Sequence, residues 1–141
     1  MHELYMDMAK RLAQESKAQR SKVGAVLVTN NGVICTGYNG TAAGLDNACE
    51  DDKGNTLPSV IHAECNVMAK ACREGVSTLG ATLYVTLSPC INCAKLIAAA
   101  GVKAVYFDTR YRKLDGIDHL RACGVTVGGY HWFTGSSAAF V

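Results

Sequence analysis

The pattern of hydrophobic and polar positions divides the chain into short segments. In some of them the apolar residues recur at helical spacing, and others are short apolar runs typical of strands. Apolar residues at helical spacing predict a first helix over residues 3–18. Two apolar, β-branched runs, 23–29 and 33–38, flank the sequence NNG and predict a β-hairpin. The later segments are predicted as a helix over 59–74, a strand over 81–87, a helix from 91 to a terminating glycine at 101, a strand over 103–107, a helix over 112–122 and a strand over 124–127.

This order of elements predicts an α/β protein. Strands that alternate with helices in the second half imply crossover connections and a parallel part of the sheet. The first two strands form an antiparallel pair, so we expect a mixed five-stranded sheet in a three-layer α/β/α sandwich. Residues 1–141 are expected to form a single domain, and Trp132 in the tail is expected to serve packing.

Composition narrows the class of protein. About half of the 141 residues are apolar (49%), which suffices for one buried core. No apolar run reaches the ~18 residues of a membrane span, and the amphipathic start is unlike a signal peptide, so we expect a cytoplasmic location, that of the host if the protein is viral. A net charge of +2 argues against nucleic acid as a partner.

The chain holds seven cysteines, an odd number. In the cytoplasm this favours metal or redox chemistry with buried thiols over a disulfide scaffold. Cys35, Cys72 and Cys123 lie in apolar or periodic contexts and are expected to be small core residues.

Two short motifs, HAEC at 62–65 and SPCINC at 88–93, carry candidate chemistry. His62 lies near the start of a predicted helix, and Cys90 and Cys93 lie at the start of the next one, directly after a strand. Cysteines three apart face the same way on a helical turn, and helix N-termini favour the thiolate. One imidazole and two thiolates select zinc, and three protein ligands leave the fourth position to water, as in catalytic sites.

Glu64 turns this zinc site into a candidate catalytic site. Zinc lowers the pKa of its bound water toward ~7, and a neighbouring carboxylate can move the proton of that water. The pattern H-x-E…P-C-x-x-C is the signature of zinc nucleobase deaminases, so we expect hydrolytic deamination of a base. A structural zinc knot would need a fourth protein ligand; Cys65 is the nearest candidate, and we expect it to be buried instead.

The stretches HAECN and SPCINCAKLI, preceded by SKVGAVLV and GYNG, resemble the cytidine-deaminase superfamily and, within it, the deoxycytidylate (dCMP) deaminases. The resemblance covers roughly residues 20 to 115. It implies a cytidine-deaminase-like fold, one catalytic Zn²⁺ on the three ligands and Glu64 as proton shuttle. The family converts dCMP to dUMP and ammonia for thymidylate synthesis. Its members are often hexamers that dCTP activates and dTTP inhibits.

The resemblance also implies binding residues. Asn39 would contact the deoxyribose, and Ala63 and Ser88 would contact the pyrimidine through backbone groups. The full substrate-binding set is Lys22, Val23, Asn39, Ala63, Ser88 and Tyr111. An allosteric nucleoside triphosphate, with Mg²⁺, would lie at Gly37, Tyr38, Asn39 and Gly40. Alternatively, GYNG is a turn whose glycines supply positive φ angles.

Further sites follow from local composition. Arg20, Lys22 and the TRYRK stretch at 109–113 could hold a phosphate or form a solvated basic loop; Lys22 and Tyr111 are preferred. Where the family has a proline soon after GYNG, this chain has Thr41 and Ala42. The resemblance also implies a second, structural zinc, which some members of the family hold and which Cys49 could serve. Two other functions stay open: deamination of another base, nucleoside or tRNA, and a non-catalytic zinc-stabilised nucleotide-binding module.

Overall fold

The computed structural model describes residues 1–129, so the tail with Trp132 lies outside the described residues. In the described part of the chain, no helix is both long and apolar enough to cross a membrane. The elements, in chain order, are α1 (His2–Ala13), β1 (Gly24–Val28), β2 (Ile34–Tyr38), α2 (Ala63–Arg73), β3 (Thr82–Leu87), α3 (Ile91–Ala99), β4 (Ala104–Thr109), α4 (Asp115–Ala122) and β5 (Thr126–Gly129).

The five strands form one mixed sheet in the order β2-β1-β3-β4-β5. β1 pairs antiparallel with both β2 and β3, whereas β3, β4 and β5 run parallel. The parallel strands are joined by α3 and α4, which supply the crossovers that such pairs require. The predicted mixed five-stranded sheet is confirmed.

Helices cover both faces of the sheet. On one face, Met6 and Ala9 of α1 pack against Val26 and Tyr84. On the other face, the larger core joins alternate residues of the strands to α2, α3 and α4. Because successive strand residues point to opposite faces, each strand supplies both layers, and the three-layer α/β/α sandwich is confirmed. That residues 1–141 form a single domain stays a prediction.

Three helices are shorter than predicted: α4 begins at Asp115, not at residue 112, and the differences in α1 and α2 shape the site. α1 ends at Ala13, not at residue 18, since the Ser16 hydroxyl donates to the Asn39 carbonyl and turns the chain toward β1 (2.8 Å). α2 begins at Ala63, not at residue 59, because Ile61 forms an antiparallel bridge with Gly40. This bridge holds the chain extended up to the first turn of α2.

The expectation for the cysteines outside the motifs was correct for Cys35, which is buried, and wrong for Cys72 and Cys123, which are exposed. Both exposed cysteines lie at the ends of helices. There Ala71 and Leu120 fill the positions that face the core.

Gly116 lets α4 approach the segment that begins α3. A Cβ at this position would lie 2.1 Å from the carbonyl oxygen of Pro89 and 3.0 Å from the carbonyl carbon of Cys90. Backbone atoms cannot move aside as a flexible side chain can. Any larger residue at 116 therefore displaces either α4 or the Pro89–Cys90 segment.

We predict that Gly116→Ala lowers the free energy of unfolding by about 1–3 kcal/mol, despite the better helix propensity of alanine, because overpacking forces the backbone apart. Urea denaturation with measurement of bound zinc tests this, and zinc occupancy should fall as well. Gly40→Ala is the matched control, since a Cβ there meets no atom within 4 Å and Gly40 has no positive φ. Equal stability of the two variants would contradict the prediction.

Candidate active site

Two helix N-termini on the same side of the sheet carry the predicted metal ligands. His62 is the N-cap of α2 and Cys90 is the N-cap of α3, both with extended backbone, and Cys93 lies in the first turn of α3. Neither cap side chain hydrogen-bonds to its own helix, so both are available to a ligand. Pro89 precedes the second cap, where its fixed φ suits the step from strand to helix.

The three side chains converge. The Nδ1 atom of His62 lies 3.3 Å from the Sγ atom of Cys93 and 3.6 Å from that of Cys90. All three ligand atoms lie within 4.8 Å of one another. In tetrahedral zinc sites, bond lengths of about 2.0–2.1 Å to nitrogen and 2.3 Å to sulfur separate the two donor atoms by about 3.5 Å. The described side chains therefore fit a zinc ion in both donor type and spacing.

Cys65 does not complete a fourth protein ligand. Its Sγ atom lies 3.8 Å from that of Cys93, yet it does not belong to the group of mutually close donors. Burial raises the pKa of the Cys65 thiol, partly offset by a hydrogen bond with Cys93. Cys65 is half-buried and packs against the core, and in the described residues the set has three protein ligands.

Glu64 lies in the first turn of α2 and lines a cavity that His62 and Cys90 also line. It is only 5% exposed. Burial raises the pKa of this carboxyl to about 7, partly offset by a hydrogen bond with its own backbone and by one with Cys93. A carboxyl group with this pKa can both accept and release a proton near neutral pH.

A cavity of about 430 Å³ opens onto these groups. Its walls come from the segment before β1, the long loop before α2, the end of β3 and the loop after β4. The lining residues are Ala18, Arg20, Ser21, Val23, Asn39, Cys49, Glu50, Thr56, Val60, His62, Ala63, Glu64, Leu87, Ser88, Cys90, Tyr111 and Arg112. Five of the six substrate-binding residues expected from sequence are among them, whereas Lys22 is exposed and does not line the cavity.

Hydrogen bonds fix two of the lining residues. The Asn39 side-chain oxygen accepts from the Val23 amide (2.8 Å), and its amide nitrogen donates to the Ser21 carbonyl (2.7 Å). The Ser88 hydroxyl accepts from the Tyr111 backbone amide (2.7 Å). The two Asn39 bonds hold the segment before β1 against the end of β2. The Ser88 bond holds the loop after β4 against the end of β3.

The GYNG stretch is not a glycine turn, because neither Gly37 nor Gly40 has a positive φ; that alternative interpretation is wrong. Gly37 is required for packing, since a Cβ there would lie 3.0 Å from the Val67 backbone nitrogen in α2. The backbone amides of Asn39 and Gly40 donate to Val23 and Ile61. They are therefore not free to bind an allosteric nucleotide, although the Tyr38 side chain is exposed.

Cys49 has no partners for a second zinc in the described residues, where the three-ligand set above is the one group of candidate metal ligands. It is 2% exposed and its thiol lies 3.4 Å from the Asn47 carbonyl oxygen. Burial raises the pKa of this thiol. Its position is that of a packed thiol rather than a metal ligand.

Some residues that form the site were not singled out from sequence. Arg112 was one of several basic residues in TRYRK, and Gly116 and Glu50 were not considered at all. Gly116 had no local signal, because its importance lies in contact with Pro89, which is distant in sequence. Glu50 lies among other acidic residues, and its hydrogen bonds reach a segment about thirty positions away.

Comparison with known proteins gives the family. The family model "Cytidine and deoxycytidylate deaminase zinc-binding region" matches residues 1–109. The deoxycytidylate deaminase of Enterobacteria phage T4 is 35% identical, with 86% of each chain aligned. That of Mycobacterium phage D29 is 39% identical over 74% of this chain and 91% of its own. The chain belongs to the cytidine and deoxycytidylate deaminase family.

A solved structure supports the same conclusion. The dCMP deaminase of cyanophage S-TIM5, in complex with dCMP and dUMP, superposes with a TM-score of 0.87 at 46% identity. The match covers 90% of this chain and 94% of that one. The fold is therefore cytidine-deaminase-like, as predicted. Together with the family's zinc-binding region, the His/Cys/Cys set gives this enzyme one zinc ion as its cofactor.

We predict that the purified chain binds one zinc ion, that Cys90→Ala and Cys93→Ala lose it, and that Cys65→Ala retains it, because the Cys65 thiol lies outside the ligand set. Elemental analysis of each variant after dialysis measures the stoichiometry. Loss of zinc from Cys65→Ala alongside a folded circular dichroism spectrum would mean that a fourth side chain closes the coordination sphere.

We also predict that zinc affinity of the metal-free protein rises with pH. Burial, and then the nearby Glu64 charge, raise the pKa of the Cys93 thiol, so this thiol carries its proton at neutral pH and must lose it to coordinate. Because coordination releases this proton, affinity should rise about 10-fold per pH unit below the pKa of the Cys93 thiol. Competition with a chromogenic chelator at about pH 7 and pH 8 measures this.

The control for the pH experiment is Cys72→Ser, which removes an exposed thiol that is remote from the ligand set. It should show the same pH dependence as the parent protein. Affinity that does not change with pH would contradict thiolate coordination.

Proposed function

We propose that this enzyme deaminates dCMP hydrolytically to dUMP and ammonia, supplying dUMP for thymidylate synthesis. The observation that carries the proposal is the buried Glu64 carboxyl, which lines the same cavity as His62 and Cys90, two of the three candidate metal ligands. A metal-binding module without catalysis has no use for a carboxyl group buried beside its ligands. The dCMP and dUMP in the related cyanophage structure support the choice of nucleotide.

The three ligands would hold zinc, which when bound supplies Lewis acidity and lowers the pKa of a water toward ~7. Glu64 takes a proton from the attacking water and gives it to N3 of the cytosine ring as the oxygen adds to C4. The remaining water proton passes through the same carboxyl to the exocyclic amine. The C4–N4 bond then breaks, ammonia leaves and the C4 carbonyl of uracil forms. A carboxyl pKa of about 7 suits both halves of this transfer.

The cavity has the size and lining for a nucleoside monophosphate. A volume of about 430 Å³ lies within the usual range of small-molecule sites. Ala63 and Ser88 lie beside the catalytic groups, where backbone contacts to the pyrimidine are expected. Val23 and Asn39 line the cavity beside the segment before β1, where the deoxyribose is expected.

Arg20 and Arg112, on different walls, are the basic side chains of the described cavity lining and are our candidates for the phosphate. The Arg112 guanidinium carbon lies 5.7 Å from the centroid of the Tyr111 ring, within cation–π distance. Tyr111 is itself held by Ser88. Lys22, preferred from sequence, lacks a position on the cavity and is replaced in this proposal by Arg20.

Regulation and assembly are proposed on the family resemblance alone. Activation by dCTP with Mg²⁺, inhibition by dTTP, a hexameric state and action in the cytoplasm stay predictions. Among the residues expected to bind an effector, the exposed Tyr38 ring is available, whereas the Asn39 and Gly40 amides are already bonded.

The experiment that tests the proposal is an ammonia-release assay with dCMP, cytidine, cytosine and a tRNA anticodon loop. We expect dCMP to be deaminated with the highest kcat/KM. Deamination of the tRNA loop or of free cytosine in preference to dCMP would leave the zinc chemistry in place and overturn the substrate.

We predict that Glu64→Gln retains zinc and the fold but lowers kcat for dCMP by about 10²–10⁴-fold, since an amide cannot shuttle the proton. Glu74→Gln makes the same chemical change at an exposed position at the end of α2 and should retain full activity. Turnover that persists in Glu64→Gln would remove the assigned role, and absence of turnover in the parent chain would favour the non-catalytic module.

A further inference from the structure

The segment that leads from α1 to β1, residues 16–23, forms one wall of the cavity and is called the strap below. Between Ser16 and Val23 it has no helix or strand. Ala18, Arg20 and Ser21 line the cavity from within it. An irregular segment takes a defined position only where hydrogen bonds to other parts of the chain hold it.

Both ends of the strap are fixed by Asn39. The Ser16 hydroxyl donates to the Asn39 carbonyl oxygen (2.8 Å). At the other end, the Asn39 side chain accepts from the Val23 amide and donates to the Ser21 carbonyl. These bonds leave the middle of the strap, where Arg20 lies, to be held by something else.

Glu50 holds the middle. Its carboxylate accepts the backbone amide of Gln19 (3.0 Å to Oε2 and 3.2 Å to Oε1) and that of Arg20 (3.1 Å to Oε2). In the described part of the chain, these are the hydrogen bonds that tie residues 17–20 to a distant segment. Two neighbouring amides that share one carboxylate restrict the backbone on both sides of the Arg20 side chain.

The backbone of Glu50 is itself held in place by a small hairpin. Glu50 and Thr56 form an antiparallel bridge, and the amide of Leu57 donates to the Cys49 carbonyl (2.8 Å). Cys49 is buried, so the base of this small hairpin is packed against the protein. Because the backbone of Glu50 is held in this way, its carboxylate holds the strap in one position.

We propose that Glu50 is a positioning residue for recognition of the substrate's 5′-phosphate, acting by fixing the strap so that Arg20 faces the cavity before substrate binds. The proposal rests on the proposed function. An arginine whose backbone is already ordered loses less conformational freedom when it binds a phosphate. Glu50 thus sets the preference for a phosphorylated nucleoside over the same nucleoside without its phosphate, and leaves the chemistry at the base unchanged.

The kinetic test compares Glu50→Ala, Glu50→Gln and Asp52→Ala with the parent enzyme on dCMP and on deoxycytidine. Asp52 is an exposed acidic residue two positions along the same loop, so its removal controls for the loss of one negative charge. Glu50→Ala should raise KM for dCMP about tenfold with kcat little changed, the size expected for lost hydrogen bonds to a charged group. The kcat/KM for dCMP should fall about tenfold more than that for deoxycytidine, and zinc content should stay at the parent level.

Glu50→Gln keeps one acceptor oxygen and should lie between the parent and Glu50→Ala, whereas Asp52→Ala should match the parent. In Arg20→Ala the same loss for dCMP is expected, and the double variant Glu50→Ala/Arg20→Ala should be no worse than Arg20→Ala alone. Equal losses on dCMP and deoxycytidine, additive losses in the double variant, or a lowered KM in Glu50→Ala would each overturn the proposal.

Hydrogen exchange of the strap separates this inference from the proposed function. The amides of Gln19 and Arg20 should be protected in the parent protein and Asp52→Ala, and should exchange faster in Glu50→Ala. Unchanged protection would overturn the role of Glu50 whatever the substrate is. A parent enzyme that does not deaminate dCMP would contradict the proposed function, while the exchange result would still decide whether Glu50 fixes the strap.

Discussion

The structure depends on one constraint: an imidazole from one helix and two sulfurs from another must meet within a few ångströms. Both helices achieve this by starting, rather than ending, at the site, with His62 and Cys90 as their caps. A helix N-terminus presents unpaired amides and a partial positive charge, which favour the thiolate once zinc is bound, although without a metal ion burial raises the pKa of the Cys93 thiol. The bridge of Ile61 with Gly40 fixes the first cap, and the contact of Pro89 with Gly116 fixes the second.

The same arrangement accounts for an ionisable side chain that is almost completely buried. Glu64 follows the first cap by two residues, so the turn of α2 that presents His62 also carries the carboxyl into the cavity. Burial disfavours its charged form and raises its pKa to about 7. A carboxyl pKa raised in the folded state lowers stability as pH rises from the ordinary value of 4.5 toward 7, because the unfolded chain then releases the proton first. The protein tolerates this cost at the position where proton transfer needs it.

The residues at the centre of the site could be identified from sequence because the signals that mark them are local. The three ligands and Glu64 lie in two short motifs, and strand or helix periodicity places each motif at an element boundary. The mixed direction of the strands followed from the hairpin signal and the crossover rule, whereas their spatial order was not predicted. The boundaries of α1 and α2 were less accurate, since Ser16 and Ile61 leave the helical pattern through bonds to Asn39 and Gly40 that periodicity does not encode.

The candidate phosphate-binding part of the cavity was predicted less completely for the same reason, since its side chains are placed by hydrogen bonds between distant segments. Arg20 and Lys22 look equivalent in sequence, but only Arg20 lines the cavity, because the path of the strap is set by Asn39 and Glu50. The metal-binding part is built on helix starts over a buried core, where small displacements are costly. The candidate phosphate-binding part is built from irregular segments held by a few hydrogen bonds. A change of one such bond can therefore alter which nucleotide binds without disturbing the metal, so specificity and chemistry can vary separately on this fold.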